Sequence, residues 1–542
     1  MTCICRRNTR RRLTFKNTIT ARALLTAASM AAALPAQGAP DGGVVTAGAG
    51  AISQQGATTT ITQSSTQAQQ PARMVIDWNS FSSAAGESIV FNQPNAAAIA
   101  LNRVTGASPS QLMGSLSANG QVFILNPNGV LFGPGSQVNV RGLLASTLNM
   151  DNASFMAGSH VLQGGSGARV INQGSLKAAD GGYVALIGPG VVNDGLISAT
   201  RGDAVLAAGD KVTVRLEGGS LIGYSLDLGS VKALVDNTAN GAISANGGRV
   251  ILEARAANAL SKAVVNHAGL IEARTLESGA GSIRLIGDRE VGQTQVSGRL
   301  DASAPNGGSG GSIETSAARV RIDDSTRVTT NAASGILGTV LIESNAFEIT
   351  PAIGERSDSS ISAATLASVL GDAKVSIKSS ASAGGTGSGD ITVNADVAWS
   401  GPILTLVADR NINLNGSLRA NRIGLLYGQA SLDGGTADFY LHNGATIDLP
   451  PISRLADGIF FTQKGNNLIN RKNYQVISSP GDGSTVDALN RLQDISSRLS
   501  GTDHYALGSN ITATATRSWN SGAGFIPLAE LNGYFRWPGT YY

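Results

Sequence analysis

Val170, Asn172, Gly174, Leu176 and Ala178 recur 21 residues later as Val191, Asn193, Gly195, Ile197 and Ala199. A short fixed period of this kind restricts a chain to repeat architectures, because one unit of that size cannot bury its apolar face alone. Within each copy the aliphatic and small residues fall two apart, the spacing of a strand rather than a helix. Related copies follow at Gly241-Ala242-Ile243-Ser244-Ala245, Gly269-Leu270-Ile271-Glu272-Ala273 and Gly298-Arg299-Leu300-Asp301-Ala302. Units with a short strand and a turn at matching places stack as coils, so the pattern predicts an all-β chain folded as a parallel β-helix. Coils about 4.8 Å apart would extend it to a rod on the order of 100 Å.

Composition fits such a stack. Glycine supplies 68 of 542 residues, aromatics 5% and charged residues 14%. A narrow interior needs few large side chains, and glycine serves the corners. A mean hydropathy of +0.05 and regularly placed aliphatics exclude a disordered chain. The formal charge of +3 belongs to the N-terminus. Residues 1–38 hold Arg6, Arg7, Arg10, Arg11, Arg12, Lys16 and Arg22 with no acid, which leaves 33 basic against 37 acidic residues beyond them. No basic stripe remains, so nucleic acid is excluded as a partner. The same segment continues as an apolar run, Ala23 to Leu34, and then Pro35-Ala36-Gln37-Gly38, the plan of an export signal; cleavage is expected between Gly38 and Ala39. Cys3 and Cys5 both lie in that leader, so the exported chain is expected to be free of cysteine.

Strand-like runs follow, among them Val75-Ile76-Asp77-Trp78 and Ile89-Val90-Phe91. Gln121 to Leu125, Asn126-Pro127-Asn128-Gly129 and Val130-Leu131-Phe132 read as strand, turn and strand. Proline presets φ at the first central position, and left-handed backbone is expected at Asn128 and Gly129. Two segments break the β pattern. Ala364 to Leu370 predicts a short helix, and Val486 to Leu499, capped by Ser484 or Thr485, a longer one; both are expected to decorate the outside of the solenoid.

Asp77-Trp78-Asn79-Ser80-Phe81, Leu101-Asn102-Arg103-Val104, Gln121 through Gly133 and Ala145-Ser146-Thr147 together resemble the secretion domain of two-partner secretion exoproteins, which include filamentous haemagglutinin and the high-molecular-weight adhesins. The likeness is nearer the adhesins, is densest over residues 41–150 and continues to about residue 500. It implies a right-handed parallel β-helix with small helical and β decorations, recognised in the periplasm by an outer-membrane transporter bearing POTRA modules. It also implies that Asn126, Pro127, Asn128 and Gly129 form a motif needed for secretion, through folding of the domain or through contact with the transporter. The family's second motif, Asn-Pro-Asn-Leu, is absent; its nearest counterpart is Asn92-Gln93-Pro94-Asn95. The expected divisions are a signal peptide (1–38), the secretion domain (39–290), a solenoid shaft (291–450) and a C-terminal repeat-like segment (451–542).

No catalytic constellation stands out, and neither a cofactor nor a metal is expected. His160, His267, His442 and His504 lack metal-ligand spacing. Asp323-Asp324 is the only adjacent acidic pair, and strand neighbours point to opposite faces. Arg201-Gly202-Asp203 is an integrin-type tripeptide expected on an exposed turn. These features predict a non-enzymatic, adhesin-like exoprotein, secreted or held at the cell surface, with a host-cell receptor or glycan as a candidate partner. A solenoid carbohydrate-active enzyme, a haem-capture protein or a toxin-delivery shaft are the alternatives. Tyr534, Phe535, Trp537, Tyr541 and Tyr542 crowd five aromatics into the last nine residues, an ending expected of a family member shortened by a frameshift or early stop.

Overall fold

The structure is a computed structural model that describes residues 38–65, 71–277, 279–352, 359–381, 387–449, 460–477, 504–507, 514–525 and 535–536. The leader and the helix expected over Val486 to Leu499 lie outside the described residues. Of the aromatic tail, the strand Phe535–Arg536 is described, paired in parallel with Tyr505 and Ala506.

The chain winds as a right-handed parallel β-helix, the hand that crossovers between parallel strands adopt, and its strands form three walls. The first wall is a 13-stranded parallel sheet from Ser110–Leu112 to Phe439–Leu441. The second and third walls join in a 27-stranded sheet, because single long strands such as Gln137–Ser146 and Ser175–Gly188 bend around the corner between them. Val170 pairs with Val191 in the first wall and Leu176 with Ile197 in the second. The 21-residue shift is therefore one full turn of the helix. The related copies stack in the same second-wall column, with Ile197, Ile243, Ile271 and Leu300 in register.

Alternation sends one set of side chains inward. Val130, Val170, Val191, Val235 and Val265 join Leu176, Ile197 and Leu206 in a single interior core that runs from Ile61 and Trp78 to Tyr427 and Phe460. Coil length grows where the chain makes an excursion. Between Asn193 and Asn237 the strands Lys211–Glu217 and Ser220–Leu228 leave the coil as an antiparallel hairpin. The first of them pairs with His160–Gln163, and this three-stranded sheet, with α1 (Asn152–Met156), covers the outer face of the third wall. Phe123, Leu144, Tyr183, Val205, Val212, Val214 and Leu226 make a second core there. Asp151 caps α1 by accepting from the Ser154 amide at 2.8 Å.

The other helix, α2 (Ala363–Asp372), contains the expected segment but is part of the wall rather than a decoration. It sits in the second wall between Arg327–Thr329 and Val397–Ala398, where a strand would otherwise lie. Leu366, Val369 and Leu370 reach the interior core from it, worth roughly 2 kcal/mol each. Because a helix cannot continue a strand ladder, the second wall resumes as a separate three-stranded sheet, Val397–Ala398, Leu418–Arg419 and Ile447–Asp448. At the N-terminal end Val44–Ala47 runs antiparallel to Arg73–Trp78, and Gly50–Gln55 antiparallel to Thr58–Gln63, which closes the parallel ladder.

Candidate functional site

The turn at residues 126–129 joins the third-wall strand Gln121–Leu125 to the first-wall strand Val130–Phe132. The Gly129 amide donates to the Asn126 carbonyl at 3.0 Å, closing a four-residue turn. Gly129 has φ +123°, which only glycine takes without strain, whereas Asn128 is not left-handed. The expectation of positive φ at Asn128 is thereby corrected. A closed turn with proline second and negative φ third is type I, whose fourth position favours glycine.

The four side chains divide into two buried and two exposed. Asn126 is fully buried. Its Nδ2 donates to the Ser108 carbonyl at 3.0 Å and to Ser110 Oγ at 3.1 Å, while its Oδ1 accepts the Asn128 amide at 2.9 Å. Gly129 is buried as well; Pro127 and Asn128 are exposed at the corner. Asn128 Nδ2 reaches the Gly106 carbonyl at 2.9 Å, and the Ser166 hydroxyl donates to the Pro127 carbonyl. The turn thus ties three successive coils together. Sequence reasoning found the turn but missed Ser108, Ser110 and Ser166, which carry no local signal because they lie a coil away.

Asn92-Gln93-Pro94-Asn95 occupies a different corner, between the second and third walls. The two motifs are not brought together. Gln93 is the buried member: its Nε2 donates to Gln63 Oε1 at 2.9 Å and to the Ala98 and Gln121 carbonyls at 3.1 Å. Asn92, Pro94 and Asn95 are exposed. Gly219, at the tip of the antiparallel hairpin, lies so near Ala96 that a Cβ there would stand 2.9 Å from its carbonyl oxygen. Gly38 and Ala39 are the first described residues, Gly38 exposed and Ala39 half-buried.

A buried polar ladder accompanies the first wall. Asn172 Nδ2 donates to Asn193 Oδ1 at 2.8 Å, Asn193 Nδ2 to Asn237 Oδ1 at 2.7 Å, and Asn237 Nδ2 meets His267 Nδ1 at 3.1 Å. His267 Nε2 ends the ladder against the Arg299 carbonyl at 3.1 Å. Burial holds the His267 pKa down at about 4, against the raising effect of that carbonyl. His160 is likewise lowered to about 4, first by burial and then by the nearby Arg73 cation. It sits edge-on to Phe123 and Phe155 in the outer core. His442 stacks on Tyr440 and His504 lies against Tyr474. Among the described residues no group of three His, Cys, Asp or Glu side chains converges to hold a metal ion.

The acidic pair and the tripeptide are also engaged structurally. Asp323 and Asp324 lie in a turn beyond the strand Arg319–Ile322, not in the strand itself; Asp323 binds Arg321 at 2.8 Å and Asp324 faces Thr365 at 3.3 Å. Arg201 is held by Asp180 at 2.6 Å. Asp203 is buried and takes a two-point contact from Arg249 at 2.7 and 2.8 Å. The tripeptide is therefore not the exposed loop that its composition suggests, because Asp203 opens a wall strand.

With this geometry in place, the profile of the family described as "TPS secretion domain" matches residues 36–315, just over half of the chain. The chain belongs to the two-partner secretion family. It is similar to the Heme/hemopexin-binding protein of Haemophilus influenzae strain Rd, 34% identical over 249 residues, 43% of this chain and 26% of that protein. A second Haemophilus influenzae protein of that name is 31% identical over 250 residues, 42% of this chain and 26% of its own. The chain thus spans about a quarter of the length of the curated relatives it matches. Among solved structures it is similar to the HMW1 secretion domain from Haemophilus influenzae, with 21% identity, a TM-score of 0.49, and coverage of 76% of this chain and 98% of that one. As a two-partner secretion exoprotein it is exported through the outer membrane, to be secreted or held at the cell surface, and the secretion domain implies a transporter in that membrane.

Proposed function

We propose that the N-terminal β-helix is the export signal read in the periplasm by the POTRA modules of its transporter, and that the coils beyond it present an adhesin-like surface to a host-cell receptor or glycan. In this reading a leader is cleaved between Gly38 and Ala39, and the product does no chemistry of its own. The divisions at 39–290, 291–450 and 451–542 then mark the export signal, the shaft and the C-terminal segment. The family match over residues 36–315 carries the proposal. The turn at 126–129 serves it chiefly as a folding device, since its buried members Asn126 and Gly129 hold the corner and bind neighbouring coils.

A second reading, capture of haem or of a haem carrier, is favoured by the names of the two Haemophilus relatives. The experiments separate at different steps. The purified chain is mixed with the isolated POTRA modules of a two-partner secretion transporter from the same genome, and saturable binding is expected; no binding overturns the export reading. Haemin titrated into the same protein distinguishes the cargo, and a saturable Soret shift at one equivalent moves the distal function from adhesion to haem capture.

A further inference from the structure

The roof over the third wall adds no rung to any wall ladder. Its strands, His160–Gln163, Lys211–Glu217 and Ser220–Leu228, hydrogen-bond to one another as a separate sheet. Residues 149–163 leave and rejoin the coil at one point, where Asn149 and Gln163 exchange backbone hydrogen bonds of 3.0 and 2.8 Å. The hairpin likewise leaves after Gly209 and returns at Gly229, its ends paired at Lys211 and Leu228. Either excursion can therefore lift without unwinding a coil. What holds the roof down is the second core and side-chain ties such as Arg73 to the Met156 carbonyl at 3.3 Å, Arg141 to Ser220 Oγ at 3.3 Å and Tyr224 to Glu253 at 2.5 Å.

A histidine sits inside that interface. His160 is 5% exposed, edge-on to Phe123 of the wall and Phe155 of α1, with Val214 opposite it in the roof sheet. Its Nε2 is buried without a hydrogen-bond partner among the described residues, and so is the Nε of the neighbouring Arg73. No nearby element offers an imidazolium a counter-charge. The wall brings the Arg73 cation, and the helix Asn152–Met156 has no charged side chain. Lys211, Arg215 and Glu217 alternate to the outer side of their strand, opposite the buried Val212 and Val214. The core hydroxyls of Tyr183 and Tyr224 are committed to Gln121 and Glu253. His267 is also buried, but both its ring nitrogens are engaged in the ladder, inside coils that cannot lift singly.

We propose that the roof is an acid-released lid: protonation of His160 lifts residues 149–163 and the hairpin from the third wall and uncovers the apolar face around Phe123, Leu144 and Val205 while the solenoid stays wound. A proton on the closed ring would place a second cation beside Arg73 in an apolar interface, whereas a lifted ring takes it up in water. Burial first, and the Arg73 cation second, hold the closed ring's pKa at about 4 against 6.5 in water. The closed roof therefore loses stability as pH falls from 6.5 towards 4, and the lifted fraction rises about twentyfold between pH 7 and pH 5. Asp210, at the base of the hairpin, acts in the opposite sense, since burial raises its pKa and its protonation favours the closed roof.

Hydrogen exchange of the full chain at pH 7, 6 and 5 is the test, each rate being referred to the unstructured rate at the same pH. Protection across residues 160–163 and 211–228 is expected to fall about twentyfold from pH 7 to pH 5 in the wild type. His160→Leu and His160→Gln, neither of which titrates, should flatten that fall while leaving the pH response of the wall strands Arg169–Asn172 and Gly190–Asn193 unchanged. His267→Asn should do the reverse, altering the walls and sparing the roof. Either His160 variant suffices if the other does not fold. A roof response that survives loss of the ring overturns the proposal. So does a His160 variant that flattens roof and walls alike, because the ring would then stabilise the fold as a whole.

Discussion

Replacing Asn126 by alanine separates a fold device from a contact. The side chain is fully buried and makes four hydrogen bonds: two donated, to the Ser108 carbonyl and Ser110 Oγ, and two accepted, from the Asn128 amide and from Asn128 Nδ2. Alanine removes all four and leaves the Ser110 hydroxyl buried without this partner. At about 1 kcal/mol net for each bond, with a further 1–2 kcal/mol for a partner stranded away from water, the loss is roughly 5–6 kcal/mol. Asn128→Ala removes an exposed side chain whose main bond goes to the Gly106 carbonyl, for a cost of about 1 kcal/mol. Gly129→Val forces a β-branched residue to φ +123°, about 1–3 kcal/mol of strain. Urea unfolding of the purified chain, followed by limited proteolysis across residues 100–175, reads these differences locally, since a repeat fold need not melt as one unit. The expected order of protection is wild type, Asn128→Ala, Gly129→Val, Asn126→Ala, with export falling in the same order. An Asn126→Ala chain that resists urea like the wild type yet stays in the periplasm would refute the folding role and make the turn a contact.

Asn193→Leu interrupts the polar ladder, stranding Asn237 Oδ1 and one bond of Asn172; a loss of about 2–4 kcal/mol is expected in the same unfolding assay, and a neutral effect would show that water replaces the rung. His160 and His267 are both neutral in the folded chain down to about pH 4, against 6.5 when unfolded, so below pH 6.5 the unfolded chain binds more protons. Stability should therefore fall as pH drops from 6.5 towards 4 by on the order of 3 kcal/mol for each ring, then level off for these groups; His267→Asn, which keeps a ladder rung without a titrating ring, should flatten the thermal midpoint against pH across that window, and an unchanged slope contradicts the assignment. Arg249→Ala leaves the buried Asp203 carboxylate without its two-point partner, and a fall in thermal midpoint of several degrees is expected, whereas Arg201→Ala, at an exposed pair, should change it little.

What the sequence disclosed and what it hid follow from how local each signal is. The 21-residue shift was legible because Asn172 and Asn193 face the same interior corner one turn apart, and stacking demands like on like. A tight turn at 126–129 was legible because proline, asparagine and glycine each act within four residues, but its type was not, since Asn128 lacks the left-handed backbone expected of it. Its closure by Ser108, Ser110 and Ser166 was not, since those partners come from adjacent coils. The aliphatics Leu366, Val369 and Leu370 announced a helix, but helical periodicity does not say whether the helix lies on a wall or replaces part of one. The hairpin strands Lys211–Glu217 and Ser220–Leu228 alternate like any wall strand, so neither their departure from the coil nor the second core beneath them could be read from period alone. Arg201-Gly202-Asp203 misled for a related reason: turn composition marks the corner, while burial of Asp203 depends on Arg249, 46 residues away.

Export itself is the most direct measurement. The chain is expressed in a Gram-negative host with and without a two-partner secretion transporter from the same genome, and is assayed in the medium, at the cell surface and in the periplasm. The chain should reach the medium or surface only when the transporter is present, with its N-terminus starting at Ala39. Equal release without the transporter, or retention in the periplasm with it, would contradict the assignment of these coils as an export signal.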